Sequence, residues 1–204
     1  APDTPPVDIG VQNGIIVAIE PKLAVDGPSH DAAGKLVSPG LVESHFHLDK
    51  ALIADRVPIQ PNRMVRDHME RTQSIKHTFT PEDVYARAQA TLEQCLLHGV
   101  THMRTQVEVD PNVGLIGFEA LEQLRKDYAW AIDIQTCVFL QEGWTGVPGA
   151  DENLVSCLER GATPPRIAAV AGQHIPDARR RDGLGIICAD RTGRAPVLAA
   201  YARA

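Results

Sequence analysis

The chain has no basic excess, no long apolar run and no closely spaced cysteine pair. Its 204 residues hold 20 Lys and Arg against 26 Asp and Glu, a formal net charge of −6. With no basic field to gather phosphates, nucleic acid and anionic membrane surfaces are excluded as expected partners. No stretch reaches the roughly 18 apolar residues that a membrane-spanning helix needs. The opening Ala1-Pro2-Asp3-Thr4-Pro5-Pro6 has neither the basic nor the apolar region of a signal peptide. Cys95, Cys137, Cys157 and Cys188 are far apart and read as reduced, mostly buried thiols. A cytoplasmic location is expected on these grounds. The 44% apolar and 23% charged residues that remain can support one packed domain, or one domain with a small appendage.

The chain opens with alternating apolar residues on either side of Asn13-Gly14: Val7, Ile9 and Val11 before, then Ile15, Ile16, Val17 and Ile19. Asn-Gly between such runs predicts a two-residue hairpin, because both central residues must take positive φ. Pro58 and Pro61 force extended backbone, and Met64 to Ile75 reads as a charged, solvated helix. Thr80-Pro81-Glu82-Asp83 is a helix start, with a Thr cap, Pro in the first turn and acids beside it. That helix runs to about His98 and closes at Gly99, with Val84, Ala88, Thr91, Leu92, Cys95 and Leu96 on one stripe. His68 and His77 read as exposed and neutral to function, and His98 as a complement to the helix dipole.

Val100 to Val109 predicts a strand with Thr101, Met103, Thr105 and Val107 on one face and His102, Arg104, Gln106 and Glu108 on the other. A helix over Leu115 to Tyr128, a strand over Ala131 to Leu140 and an Asp151-capped helix from Glu152 to Arg160 follow. Strand and helix thus alternate from Leu41 to Gly161, the signature of parallel βαβ units.

Chemistry concentrates in Ser38 to Lys50, Ser-Pro-Gly-Leu-Val-Glu-Ser-His-Phe-His-Leu-Asp-Lys. In a strand His45 and His47 share a face, with Cβ atoms about 6–7 Å apart. Two imidazoles so placed can converge on one divalent cation, although a His-x-His pair alone is a weak signal. The longer stretch Asp31 to Lys50 resembles the first barrel strand of the amidohydrolase superfamily. Its His-Phe-His-Leu-Asp-Lys is most similar to the branch containing cytosine deaminase and N-isopropylammelide isopropylaminohydrolase. Gly99 to Val109 and Phe139-Leu140-Gln141-Glu142-Gly143 resemble that branch too, except that Gln106 stands where it commonly has His.

The resemblance implies a partial (β/α)8 TIM-type barrel of three or four βα units, preceded by a few strands of a small β-sandwich. Residues 1–38 would be the sandwich strands and 39–162 the barrel units. It implies one divalent ion, Zn or Fe, with His45 and His47 among its ligands and activating water for hydrolysis. Gln141 would bind a small heterocyclic substrate of the cytosine or aminotriazine type, its amide offering donor and acceptor together. Asp49 and Lys50 read either as supports of the metal ligands or as a surface salt bridge.

After Ala162 the pattern stops: no Lys or Glu follows, and Arg166, Arg179–Arg181, Arg191, Arg194 and Arg203 crowd the remainder. Residues 163–204 are expected to be an out-of-frame tail on a truncated member, lacking the family's general acid/base Glu. The rival is a divergent strand over Ile167 to Ala171, with His174 just beyond it, followed by a helix. An incomplete barrel leaves open sheet edges that a homo-oligomer could cover. The alternatives to a hydrolase are a non-catalytic remnant and a small-ligand-binding α/β domain.

Overall fold

The computed structural model describes residues 5–57, 65–141 and 147–163. Pro58 and Pro61, Glu142-Gly143, the rival strand over 167–171, His174, Cys188 and all of the inferred out-of-frame tail beyond Thr163 lie outside those residues. Two units separate by their internal contacts, Ala1–Pro39 and Gly40–Ala204.

The first unit is built on a hairpin. Strand β1 (Asp8–Gln12) pairs antiparallel with β2 (Ile15–Glu20), and the ladder is irregular between Gly10 and Val11. Asn13 (φ 52°) and Gly14 (φ 77°) both adopt the left-handed conformation that the two-residue turn demands. The Asp8 carboxylate accepts from the Leu23 amide at 2.9 Å, tying the chain beyond β2 back to the hairpin.

The second unit is a parallel sheet in the order β3-β4-β5, formed by β3 (Leu41–Phe46), β4 (Val100–Glu108) and β5 (Asp133–Phe139). Helices α1 (Val65–Ile75) and α2 (Pro81–Leu97) join β3 to β4, and α3 (Ile116–Asp127) joins β4 to β5. Helix α4 (Ala150–Glu159) follows β5. Parallel neighbours need such crossovers, because a tight turn cannot return the chain to the same end of the sheet. The Thr80 hydroxyl accepts from the Asp83 amide at 3.2 Å and starts α2 as its sequence predicts. At its far end the exposed His98 ring lies 2.7 Å from the Gln94 carbonyl.

The core lies between the sheet and α2 and α3. Met103, Val107, Ile134 and Val138 from the strands pack with Ala88, Leu92, Phe118, Leu121 and Leu124 from the helices. The other row of β4 grades from exposed His102 to buried Gln106 and Glu108, so only its first half is solvated. No helix among the described residues is long and apolar enough to cross a membrane.

One expectation needs correction. Asp151 does not cap α4; Gly149, at φ 87°, holds the cap position, and Asp151 sits in the first turn, where a negative charge still suits the dipole. An isolated bridge follows α4. Thr163 bridges Cys137 in parallel, its amide donating to the Thr136 carbonyl at 2.8 Å.

Gly40 marks the entry to β3 and is the most tightly packed of the described glycines. A Cβ there would lie 2.2 Å from Thr101 Oγ1 and 2.7 Å from Thr101 Cβ. Gly40→Ala must therefore displace β3 from β4, at a cost of about 1–3 kcal/mol by analogy with overpacking. Urea denaturation monitored by circular dichroism reads this directly, and an unchanged midpoint would show that the strand entry yields freely.

Candidate active site

The tips of the three parallel strands bring together His45, His47, Asp49, Lys50, Glu108, Asp110 and Gln141. The register explains how. Glu43 pairs with Met103 but Phe46 with Thr105, so β3 carries one extra residue between them. Such a bulge re-aims neighbouring side chains. It also removes an amide from the ladder, and the His45 amide donates instead to Glu43 Oε1 at 2.9 Å. The simple alternation expected of Leu41, Glu43, His45 and His47 is therefore broken. His47 lies one residue past the strand, heading the 3-10 turn Leu48–Lys50. The two imidazoles nevertheless meet, with ring centroids 5.3 Å apart and planes at 62°.

His47 also packs edge-on against Phe139 at the tip of β5, again at 5.3 Å. Burial, then the Lys50 charge and His45, push its pKa down to about 4, so the ring is neutral at neutral pH. Neutral imidazole is the form that binds a metal ion. Its Nδ1 is buried without a partner, 3.9 Å from Asp49 Oδ1, which is likewise unpartnered. A small approach would let Nδ1–H donate to Asp49 and leave the Nε2 lone pair for a cation. On that chemistry His45 and His47 fit as two ligands of a divalent ion. Among the described residues no group of three or more His, Cys, Asp or Glu is placed to hold one.

Behind the histidines lies a buried charge network. The Glu108 carboxylate bridges Lys50 Nζ (2.5 Å) and Lys76 Nζ (2.7 Å). Burial pushes the Glu108 carboxyl up, but the Lys50 and Lys76 ammoniums together hold it below the usual carboxylate range. The Glu108 amide donates to Asp49 Oδ2 at 3.0 Å. Lys50 donates as well to Gln141 Oε1 and sits 5.0 Å from the Phe139 ring centroid. The Gln141 amide in turn donates to buried Asp110 at 2.6 Å. Arg87 of α2 clamps the turn after β3, donating to the carbonyls of Asp49 (3.1 Å) and Ala51 (2.6 Å).

The surface salt-bridge reading of Asp49 and Lys50 is thus corrected: Asp49 is 4% exposed and the Lys50 side chain 13%. His68 and His77 are exposed on α1 and the turn after it. Sequence reasoning missed Lys76, Arg87 and Asp110. For Arg87 a signal existed, since it falls on the buried stripe of α2 between Val84 and Ala88. For Lys76 there was none.

Burial pushes the Asp49 carboxyl up to about 6, against the Lys50 charge and the Glu108 amide that favour its ionised form. A carboxyl whose pKa is raised by folding adds stability below its unfolded value near 4, and that stability is lost as pH rises through about 6. Wild type should therefore lose on the order of 2 kcal/mol relative to Asp49→Asn between pH 4 and 7. Paired urea titrations at the two pH values test the sign; a wild type that gains on the variant as pH rises contradicts it.

No protein-family model matches the chain. An N-isopropylammelide isopropyl amidohydrolase of Pseudomonas sp. strain ADP is 30% identical over 142 residues, 67% of this chain and 35% of that protein. Among solved structures, a 5-methylcytosine deaminase from Klebsiella pneumoniae superposes with a TM-score of 0.66 at 33% identity, over 76% of this chain and 38% of the other. An N-isopropylammelide isopropylaminohydrolase from Burkholderia multivorans gives 0.64 at 31% identity, over 76% and 40%. The chain thus spans between a third and two fifths of the length of these relatives, one of them a deaminase by name and the other two hydrolases. Three parallel strands, their crossover helices and the likeness over three quarters of the sequence identify an amidohydrolase-like chain, similar to the cytosine deaminase and N-isopropylammelide isopropylaminohydrolase branch.

Proposed function

We propose that this chain carries part of the site of a metal-dependent hydrolase that removes an exocyclic amine from a cytosine-like or aminotriazine-like ring. Residues 39–162 would be the first βα units of a TIM-type barrel, and residues 1–38 strands of a small β-sandwich before it. The observation that carries the reading is the meeting of His45 and His47, 5.3 Å apart at the tip of a parallel strand. Active sites of (β/α)8 enzymes lie at that end of the strands.

His45 and His47 would hold a divalent cation, Zn or Fe, which would supply the Lewis acidity for hydrolysis by water at neutral pH. The protein's own groups do the rest. His47 stays neutral, Phe139 packs against its ring, and Arg87 and Thr105 fix the turn that carries it. Thr105 does so by accepting from the Leu48 amide at 3.1 Å. Gln141 contacts the ring, its amide being suited to an edge with a donor or an acceptor. No carboxylate of the described cluster is assigned the proton transfer.

A small-ligand-binding domain is the second reading. It is favoured by the pairing of two imidazoles without a third His, Cys, Asp or Glu placed to complete a metal-holding group among the described residues. Release of ammonia from cytosine and of alkylamine from an N-alkylaminotriazine, assayed with and without added Zn²⁺, separates the two. Metal-dependent release that His47→Ala abolishes supports the hydrolase. Binding of these rings without release, unchanged by a chelator, supports the second reading.

A further inference from the structure

Gln141 can offer a ligand either end of its carboxamide, and which end it offers decides what it recognises. We infer that Lys50, locked by Glu108, fixes that choice: it holds Gln141 Oε1 and leaves the Nε2 amino group to face the ligand. Lys50 is then a positioning residue for specificity, acting through Gln141. The inference deepens the proposed function and rests on Gln141 being the ring-binding residue.

The argument is one of donors and acceptors. An ammonium has three N–H donors and no acceptor. Whatever atom of Gln141 meets Lys50 Nζ must therefore be the oxygen, so the flip of this amide follows from chemistry and not from its outline alone. The ammonium is held by two groups: it donates to Gln141 Oε1 and forms an ion pair with Glu108 Oε2 at 2.5 Å, and it lies 5.0 Å from the centroid of the Phe139 ring. Glu108 is held in turn by Lys76 at 2.7 Å, with both side chains almost wholly buried, so the ammonium cannot swing away cheaply. The backbone of Gln141 is pinned as well, through its amide on Asp110. A carboxamide fixed at its backbone and at its oxygen keeps one free group, the NH₂. That group selects a ring edge with an acceptor, a carbonyl oxygen or an unprotonated ring nitrogen, over one presenting N–H.

The test combines ¹⁵N-resolved NMR of the full chain, following the Gln141 side-chain NH₂ signal, with calorimetric titration of cytosine. The signal is assigned by its loss in Gln141→Glu. Lys50→Met should shift and broaden it and weaken cytosine binding about tenfold, whereas Lys50→Arg, which retains donors, should restore much of both. Gln141→Glu keeps a partner for Lys50 but has no donor, so it should also weaken cytosine binding about tenfold in a folded chain. Full cytosine affinity in Gln141→Glu overturns the inference even if Lys50→Met fails to fold, and so does an unmoved NH₂ signal in folded Lys50→Met. A wild type that does not bind cytosine but shows the NH₂ shift in Lys50→Met tells against the proposed substrate class and supports the positioning role.

Discussion

Replacing Glu108 with alanine is expected to destabilise the second unit by about 3–5 kcal/mol, the cost of removing one partner from a buried ion pair. Glu108 is 2% exposed and faces two ammoniums, of which Lys76 is itself 4% exposed. Truncation leaves those positive charges without the carboxylate that offsets their desolvation. A native chain is stable by only about 5–15 kcal/mol, so the loss is a large share of the whole. The effect belongs to the unpaired charges and not to an intrinsic strength of the pair. Glu108→Leu combined with Lys76→Met should therefore cost less than Glu108→Ala alone. Urea denaturation of the three variants decides it. A loss below about 1 kcal/mol in Glu108→Ala would mean that water reaches the network and the pair behaves as a surface bridge.

The second large effect is expected at Phe118. Its side chain is fully buried at the start of α3 and joins α3 to the strands and to α2, while the Arg160 guanidinium lies 4.8 Å from its ring centroid. Phe118→Ala should cost about 3–5 kcal/mol, since the transfer energy of the ring is lost and a cavity remains. Leu97, 78% exposed at the end of α2, is the control. Its replacement by alanine should stay within about 0.5 kcal/mol, as is usual for surface positions. Thermal melts of both variants check the contrast. Similar shifts at the two sites would mean that the core does not lie between the sheet and these helices.

Much of this arrangement was legible in local patterns. Asn13-Gly14 announced its turn because few residues accept positive φ, and Thr80-Pro81 announced a helix because both act within one turn. The strand-helix alternation and the His45–His47 pair could be read for the same reason, each being a short-range regularity. What could not be read depends on partners far along the chain. The bulge beside His45 is a property of the ladder with β4, and alternation within β3 alone cannot count the residues opposite it. The burial of Asp49 and Lys50 follows from Glu108 and Gln141, more than 50 residues away. Lys76 carries no local mark of its buried pairing. The cap of α4 was misassigned because Asp151 has the composition of a cap, while Gly149 has the required backbone.

The most direct test of the central claim, that His45 and His47 together grip one divalent ion, is Co²⁺ titration of the full chain. Visible absorption follows binding, and X-ray absorption identifies the ligands. The account predicts one Co²⁺ per chain with imidazole nitrogen in its coordination shell, displaced by Zn²⁺ and lost in both His45→Ala and His47→Ala. Co²⁺ binding of equal strength in wild type and in both variants would contradict it.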